Sequence, residues 1–344
     1  MKSSTTTIAR LPFEERYSLP IIENILDSPE VIRLKQDRIR ALKLTKKAVV
    51  LAHNYQRDEV QDVADFVGDS LGLSQAAART DADVIVFCGV HFMAETAAIL
   101  CPDKTVLLPD LRAGCSLAAS VTADELREWK SHYPDAVVVA YINTSAEVKA
   151  EADYCCTSSN ATKVVNSIPV DKQILMLPDK FLASVVARQT GRANIIAYPG
   201  YCHVHNMIDP QQVERMMEDY PDIELLIHPE CGCVSACMVK VLDGTLPKER
   251  TQFFSTEGML RHVQESPATE FAVGTEVGIL HRLRDQNPGK TFRPVNPDAI
   301  CAFMKTITLD NIINSMEKMS PQVTVPADIA KKAKRSIDRM LELA

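Results

Sequence analysis

"VVLAHNYQ", residues 49–56, decides the fold once its two echoes are seen, "VVVAYINT" at 137–144 and "ELLIHPEC" at 224–231. Each is a run of apolar residues that ends in a polar one. That is the pattern of a strand buried on both faces that delivers a side chain at its carboxyl end. In this alignment His53, Tyr141 and His228 correspond, 88 and then 87 residues apart, and so do Tyr55, Asn143 and Glu230. Self-similarity at a fixed period marks a repeated structural unit.

The three copies continue alike. A helical stretch leads to a hydroxyl-bearing turn: "GDS" ending at Ser70, "TSS" at 157–159 and "FSTEG" at 254–258. A strand, turn and helix follow in "VFCGVHFMAET", "LMLPDKFLASVV" and "FAVGTEVGILHRL". Each copy closes on a cysteine, in "KTVLLPDLRAGC", "ANIIAYPGYC" and "KTFRPVNPDAIC", which places Cys115, Cys202 and Cys301 in register. The third copy carries an insertion around "LDGTLPKER". Alternation of buried strands with helical-period segments predicts an α/β protein. The expected fold is three similar α/β/α domains with mainly parallel sheets, arranged with pseudo-threefold symmetry around a central active site. The expected divisions are an N-terminal extension over 1–35 and repeats over 36–120, 121–207 and 208–302. A helix over 303–344 is expected to pack on the first repeat.

A net charge of −7 argues against nucleic acid, because phosphate-backbone binding needs a basic face. The sequence has no apolar run long enough to span a membrane, and its polar N-terminus lacks a signal-peptide core. Ten cysteines without a secretion signal suggest a reducing, cytoplasmic setting, where they serve as buried thiols, metal ligands or catalytic groups.

Ligands of parallel sheets bind at the carboxyl ends of strands. Those ends carry His53, Tyr55, Tyr141, Asn143, His228 and Glu230, so the site is expected there. Thiolates that hold an iron–sulfur cluster must converge in space but not in sequence. One cysteine from each domain would therefore hold a [4Fe–4S] cluster and leave one iron open as a Lewis acid. The competing reading makes Cys115, Cys202 and Cys301 small buried hydrophobes. The crowded run Cys231, Cys233, Cys237 is out of register with the repeat and lacks the second half of a closed zinc site. It stays open as a zinc or redox centre. His205, beside Cys202, is a candidate donor to substrate or cluster. A phosphate would have to use N–H groups and hydroxyls at helix starts, as around Ser255, Thr256 and Gly258.

The stretches "AHNYQ", "GDS", "VHFMAETA", "YINTSAEVKAEAD", "CTSSNA", "LPDKFL", "GYCHVH", "HPEC" and "STEGM" resemble the quinolinate synthase family of NAD biosynthesis, in the family's order across most of residues 45–300. The resemblance implies three domains about a pseudo-threefold axis and a [4Fe–4S] cluster on Cys115, Cys202 and Cys301. It implies condensation of iminoaspartate with dihydroxyacetone phosphate to quinolinate, with loss of phosphate and two waters. Substrate contacts map onto His53, Tyr55, Ser70, Tyr141, Asn143, Ser158, His205, His228, Glu230, Ser255 and Thr256. Catalytic roles fall to His53, Tyr141, His228 and Glu230, with Glu230 the general base. An aspartate oxidase or dehydrogenase would supply the unstable iminoaspartate. The segment "CGCVSAC" is richer in cysteine than the plainer family form, and the resemblance assigns Cys233 and Cys237 no role. A reductive iron–sulfur dehydratase acting on a diphosphate is the alternative enzyme.

Overall fold

The computed structural model describes residues 16–22 and 27–344, so most of the expected N-terminal extension lies outside the described residues. The first unit runs α1 (Pro29–Lys46), β1 (Ala48–His53), α2 (Asp58–Gln61), β2 (Phe66–Gly68), α3 (Ser70–Arg79), β3 (Val84–Cys88), α4 (His91–Leu100) and β4 (Thr105–Leu107). The second runs α5 (Ala123–Ser131), β5 (Val137–Tyr141), α6 (Ala146–Ala150), β6 (Tyr154–Cys156), α7 (Ala161–Ser167), β7 (Ile174–Leu177), α8 (Lys180–Thr190) and β8 (Ile195–Ala197). A short helix, α9 (His203–Asn206), leads to the third: α10 (Pro210–Asp219), β9 (Glu224–Ile227), α11 (Val234–Leu242), β10 (Thr251–Phe253), α12 (Thr256–Glu265), β11 (Glu270–Gly274), α13 (Ile279–Gln286) and β12 (Thr291–Pro294).

Each unit holds one four-stranded sheet, all parallel, in the same order: β2-β1-β3-β4, β6-β5-β7-β8 and β10-β9-β11-β12. The cause is visible in the strands. β3 "VIVFC", β7 "ILML" and β9 "ELLI" are buried at every position, as strands covered by helices on both faces must be. Each such Leu, Ile or Val contributes about 1.5–3 kcal/mol by leaving water. Turn chemistry sets the helix starts. Ser28 caps α1 ahead of Pro29, Asp69 caps α3, and Ser255 caps α12.

The strand order reverses at the first strand of each sheet, with the second strand on one side and the third on the other. Chains leaving these strands diverge and open a crevice at their carboxyl ends. All three crevices face one another.

The segment 303–344 differs from the single helix expected on the first repeat. Pro321 and Pro326 interrupt it, and it forms two helices. α14 (Leu309–Lys318) lies on α1, and Val323 then donates its N–H to Val106 in β4. α15 (Ala327–Glu342) crosses to α6 and β6 of the second unit, touching α4 on the way. There Ser336 donates to the Lys149 carbonyl at 2.9 Å and accepts from Cys155 at 3.3 Å. The last helix thus staples the second unit to the first.

Candidate active site

One cavity of about 720 Å³, its mouth included, lies where the three crevices meet. That is the scale of a small-molecule pocket. His53 reaches it from the last position of β1 and Tyr55 from the turn that follows, Tyr141 and Asn143 likewise from β5 and its turn, and His228 and Glu230 from the turn after β9. The turn after each second strand adds a hydroxyl: Ser70, Ser158 and Thr256. The segments after each fourth strand add Cys115, Cys202 and Cys301, with His205 following Cys202. Of the residues expected at the site only Ser255 stays outside the wall. It caps α12 through Gly258 N–H at 3.3 Å.

The same backbone device recurs in two units. His53 Nδ1 accepts the N–H of Tyr55 at 3.2 Å, and His228 Nδ1 accepts the N–H of Glu230 at 3.4 Å. An accepting Nδ1 puts the proton of a neutral imidazole on Nε2. Burial pushes the His53 imidazolium down to about 3, aided by Lys305, and pushes that of His228 well below the usual range. Both rings are therefore neutral Nε2–H donors at neutral pH, and that of His228 meets Ser158 Oγ at 3.3 Å.

Glu230 is buried, and loss of hydration raises its carboxyl to about 7. The Tyr141 hydroxyl donates to its Oε1. His205 stacks on His228 with ring centres 4.8 Å apart, and burial lowers it to about 3. Asn143 Oδ1 is buried without a hydrogen-bond partner among the described residues. A buried acceptor left bare costs about 1–3 kcal/mol, so it is kept for something that enters the cavity.

The three cysteines share a local geometry. Each opens a turn of helix: the chain after Cys115 coils at Ala118–Ser120, α9 follows Cys202, and Met304–Thr306 follows Cys301. In each turn the carbonyl accepts the N–H four residues on, from Ala119, Asn206 and Lys305. The Cys115 sulfur also receives the N–H three residues on, from Ala118 at 3.5 Å. Helical N–H groups aimed at sulfur favour thiolate. Even so, burial holds the free thiols up, at about 11 for Cys115 and about 12 for Cys301. Only a bound cation would ionise all three near neutral pH. Three soft donors so arranged on one cavity fit an iron–sulfur cluster. Gly200 makes room for this corner, since a Cβ there would lie 2.6 Å from Pro178 O and Ser120 Oγ.

Cys231, Cys233 and Cys237 are buried in the third unit, away from the wall of the cavity. Among the described residues, one group of three metal-binding side chains has ligand atoms all within 4.8 Å of one another: Cys202, His205 and Glu230.

Five polar wall residues were not singled out from the sequence: Asp69, Ser116, Thr157, His203 and Glu276. Ser116 Oγ and His203 Nδ1, each next to a cysteine, pair at 2.7 Å. Glu276 accepts the N–H of Cys301 at 3.0 Å and faces Lys305 at 3.3 Å. Lys305 in turn donates to the Tyr55 carbonyl at 2.5 Å. Their signal is a polar residue just after a repeat element, as in "GDS" and "GTEVG". A supporting network lies behind Thr256, where Asn54 donates to its Oγ1 at 2.9 Å and Arg282 holds both Asn54 and Glu257. Ser159 Oγ lies 2.6 Å from Asp69 Oδ2 and 2.9 Å from Ser255 Oγ, joining one residue from each unit.

No described helix is long and apolar enough to cross a membrane. The sequence model of the family described as quinolinate synthetase A protein matches residues 37–342. The chain is 54% identical over 312 residues to a quinolinate synthase of Pyrobaculum aerophilum, covering 90% of this chain and 100% of that one. A quinolinate synthase of Thermus thermophilus is 53% identical over 312 residues, 91% of this chain and 96% of that one. One of Mycobacterium tuberculosis is 50% identical over 305 residues, 89% of this chain and 87% of that one.

Proposed function

The chain belongs to the quinolinate synthase family, and from that premise we propose that it condenses iminoaspartate with dihydroxyacetone phosphate in this cavity. The products are quinolinate, phosphate and two waters. The atoms balance without an oxidant or reductant, so no electron donor is required. One observation carries the reading: strand-end groups from three separate units meet three cysteines around one cavity.

Cys115, Cys202 and Cys301 would hold a [4Fe–4S] cluster, which would supply a Lewis acid for the loss of water. The chain's own residues do the rest. Ser70 and Thr256 stand at the first positions of α3 and α12, where helix N–H groups and the hydroxyls receive phosphate or carboxylate. Ser158 adds a third hydroxyl from the second unit. Nε2–H of His53 and of His228 donate to substrate oxygens without carrying charge. Asn143 Oδ1 accepts an N–H from the substrate nitrogen. Glu230 takes and returns protons at carbon during the imine–enamine and keto–enol shifts, and a carboxyl near 7 is suited to both directions at neutral pH. Iminoaspartate hydrolyses in water, so an aspartate-oxidising enzyme must supply it at the moment of use.

The test is quinolinate formation by anaerobically purified protein from freshly generated iminoaspartate and dihydroxyacetone phosphate, with no reductant. Product at this step supports the reading. No product from protein with a full complement of iron and sulfide, or product only with a reductant, would sink it.

A further inference from the structure

Cys202, His205 and Glu230 make a second arrangement inside the cavity, distinct from the set of three cysteines. Cys202 and His205 lie three residues apart, one turn of helix, and so share a face at the start of α9. Glu230 arrives from the turn after β9. One ligand atom from each lies within 4.8 Å of the others.

The surrounding bonds leave the right atoms free. The Cys231 thiol donates to the Gly274 carbonyl at 3.0 Å, so its sulfur can accept from His205 Nδ1 at 3.4 Å. That puts the His205 proton on Nδ1 and leaves the Nε2 lone pair bare. Tyr141 occupies Glu230 Oε1, leaving Oε2 bare. Nε2 and Oε2 face each other at 4.0 Å, too far for a hydrogen bond. A sulfur, a nitrogen and an oxygen lone pair turned toward one point, with the far side of the histidine anchored, are the parts of a metal site with its outer support.

We propose that Cys202, His205 and Glu230 bind a single thiophilic divalent cation, such as zinc, cobalt(II) or iron(II), in the cluster-free protein. The mixed sulfur, nitrogen and oxygen donors select these ions over magnesium or calcium, and three protein ligands leave a fourth position for water. Cys202 serves one occupant at a time. Zinc held here therefore blocks cluster loading; that consequence, unlike the site itself, rests on the cluster assignment made above.

The experiment titrates chelator-treated full-length protein with cobalt(II) under anaerobic conditions, following thiolate-to-cobalt charge-transfer absorption and cobalt retained after gel filtration. The expected result is about one cobalt per chain in tetrahedral coordination, with the charge-transfer intensity of a single thiolate. The double variant Cys115→Ser/Cys301→Ser keeps this site. Cys202→Ser loses the charge-transfer band, and His205→Ala and Glu230→Gln each weaken binding by at least about 100-fold, while Cys231→Ser, acting through His205, weakens it by about 10-fold. Circular dichroism melts confirm that each variant is folded, and Glu230→Gln, nearly isosteric, remains informative if His205→Ala is not. Loss of binding in Cys115→Ser/Cys301→Ser, three-thiolate intensity, or indifference to both His205→Ala and Glu230→Gln overturns the proposal. A cluster that still assembles in Cys115→Ser/Cys301→Ser would instead overturn the cluster assignment and leave this site standing.

Discussion

Two sets of three cysteines sit in this chain, and they teach opposite lessons about sequence proximity. Cys231, Cys233 and Cys237 crowd into seven residues, yet they run along the entry of α11 with no exposure and none of them lines the cavity. Contact with one another, and then burial, pushes the Cys233 and Cys237 thiols up, which makes them poor nucleophiles. Cys115, Cys202 and Cys301 are separated by most of a domain each, yet all three line one cavity, partly exposed to it, each opening the same helical turn. Repetition of the unit, not spacing within it, brings ligands together.

The sharpest way to break that comparison is to remove one cysteine from each set. Cys115→Ala is expected to abolish iron retention and quinolinate formation after anaerobic purification. Cys233→Ala is expected to keep the iron and sulfide content of the unsubstituted protein. Equal iron in both, measured by metal analysis of folded protein, would dissolve the distinction.

Glu230→Gln comes next. Loss of a general base lowers kcat by about 10²–10⁴. The same change carries a stability signature of opposite sign. The folded carboxyl sits near 7 against an ordinary value of 4.5, so the fold favours the protonated form. That contribution is whole below about pH 4.5 and is lost as pH rises to about 7, on the order of 3 kcal/mol in all. Gln cannot ionise, so the cluster-free variant should melt above the unsubstituted protein at pH 8 and not at pH 4.5. A variant that melts lower at pH 8 would mean the carboxylate is stabilising when charged.

His228 tests the donor geometry. His228→Ala should lower kcat/KM by about 10²-fold, and His228→Gln, whose amide N–H reaches near the Nε2 position, should recover part of it. No recovery would show that the ring acts other than as a neutral Nε2–H donor.

Much of this was legible in the sequence because parallel strands buried on both faces write themselves as apolar runs. "VVLAHNYQ", "VVVAYINT" and "ELLIHPEC" announced β1, β5 and β9 together with the residues they deliver. The short strands β2, β4, β6 and β10 did not, since three residues hold no period, whereas β8, equally short, showed through the apolar run in "NIIAYP". The final helix was misplaced because an amphipathic stripe states that a face is buried and not against what. The ion pair of Glu276 with Lys305 and the pairing of Ser116 with His203 depend on contacts between distant segments, which no local pattern encodes.

Cys237→Ala should give the smallest effect, and its size follows from two opposed terms. The thiol is fully buried in the core of the third unit, and deleting it leaves a gap about the size of one sulfur. Loss of that contact costs on the order of 1–2 kcal/mol. Residue 237 lies in the body of α11, where alanine is favoured over cysteine by about 0.6 kcal/mol. The net is a destabilisation of about 1 kcal/mol, with iron content and kcat unchanged. Cys115→Ala lies in a loop and lacks the helical compensation, yet its expected loss is total. That asymmetry follows only if the sparse set holds the reactive group. A Cys237→Ala protein that melts as expected but has lost its iron would return the chemistry to the crowded segment.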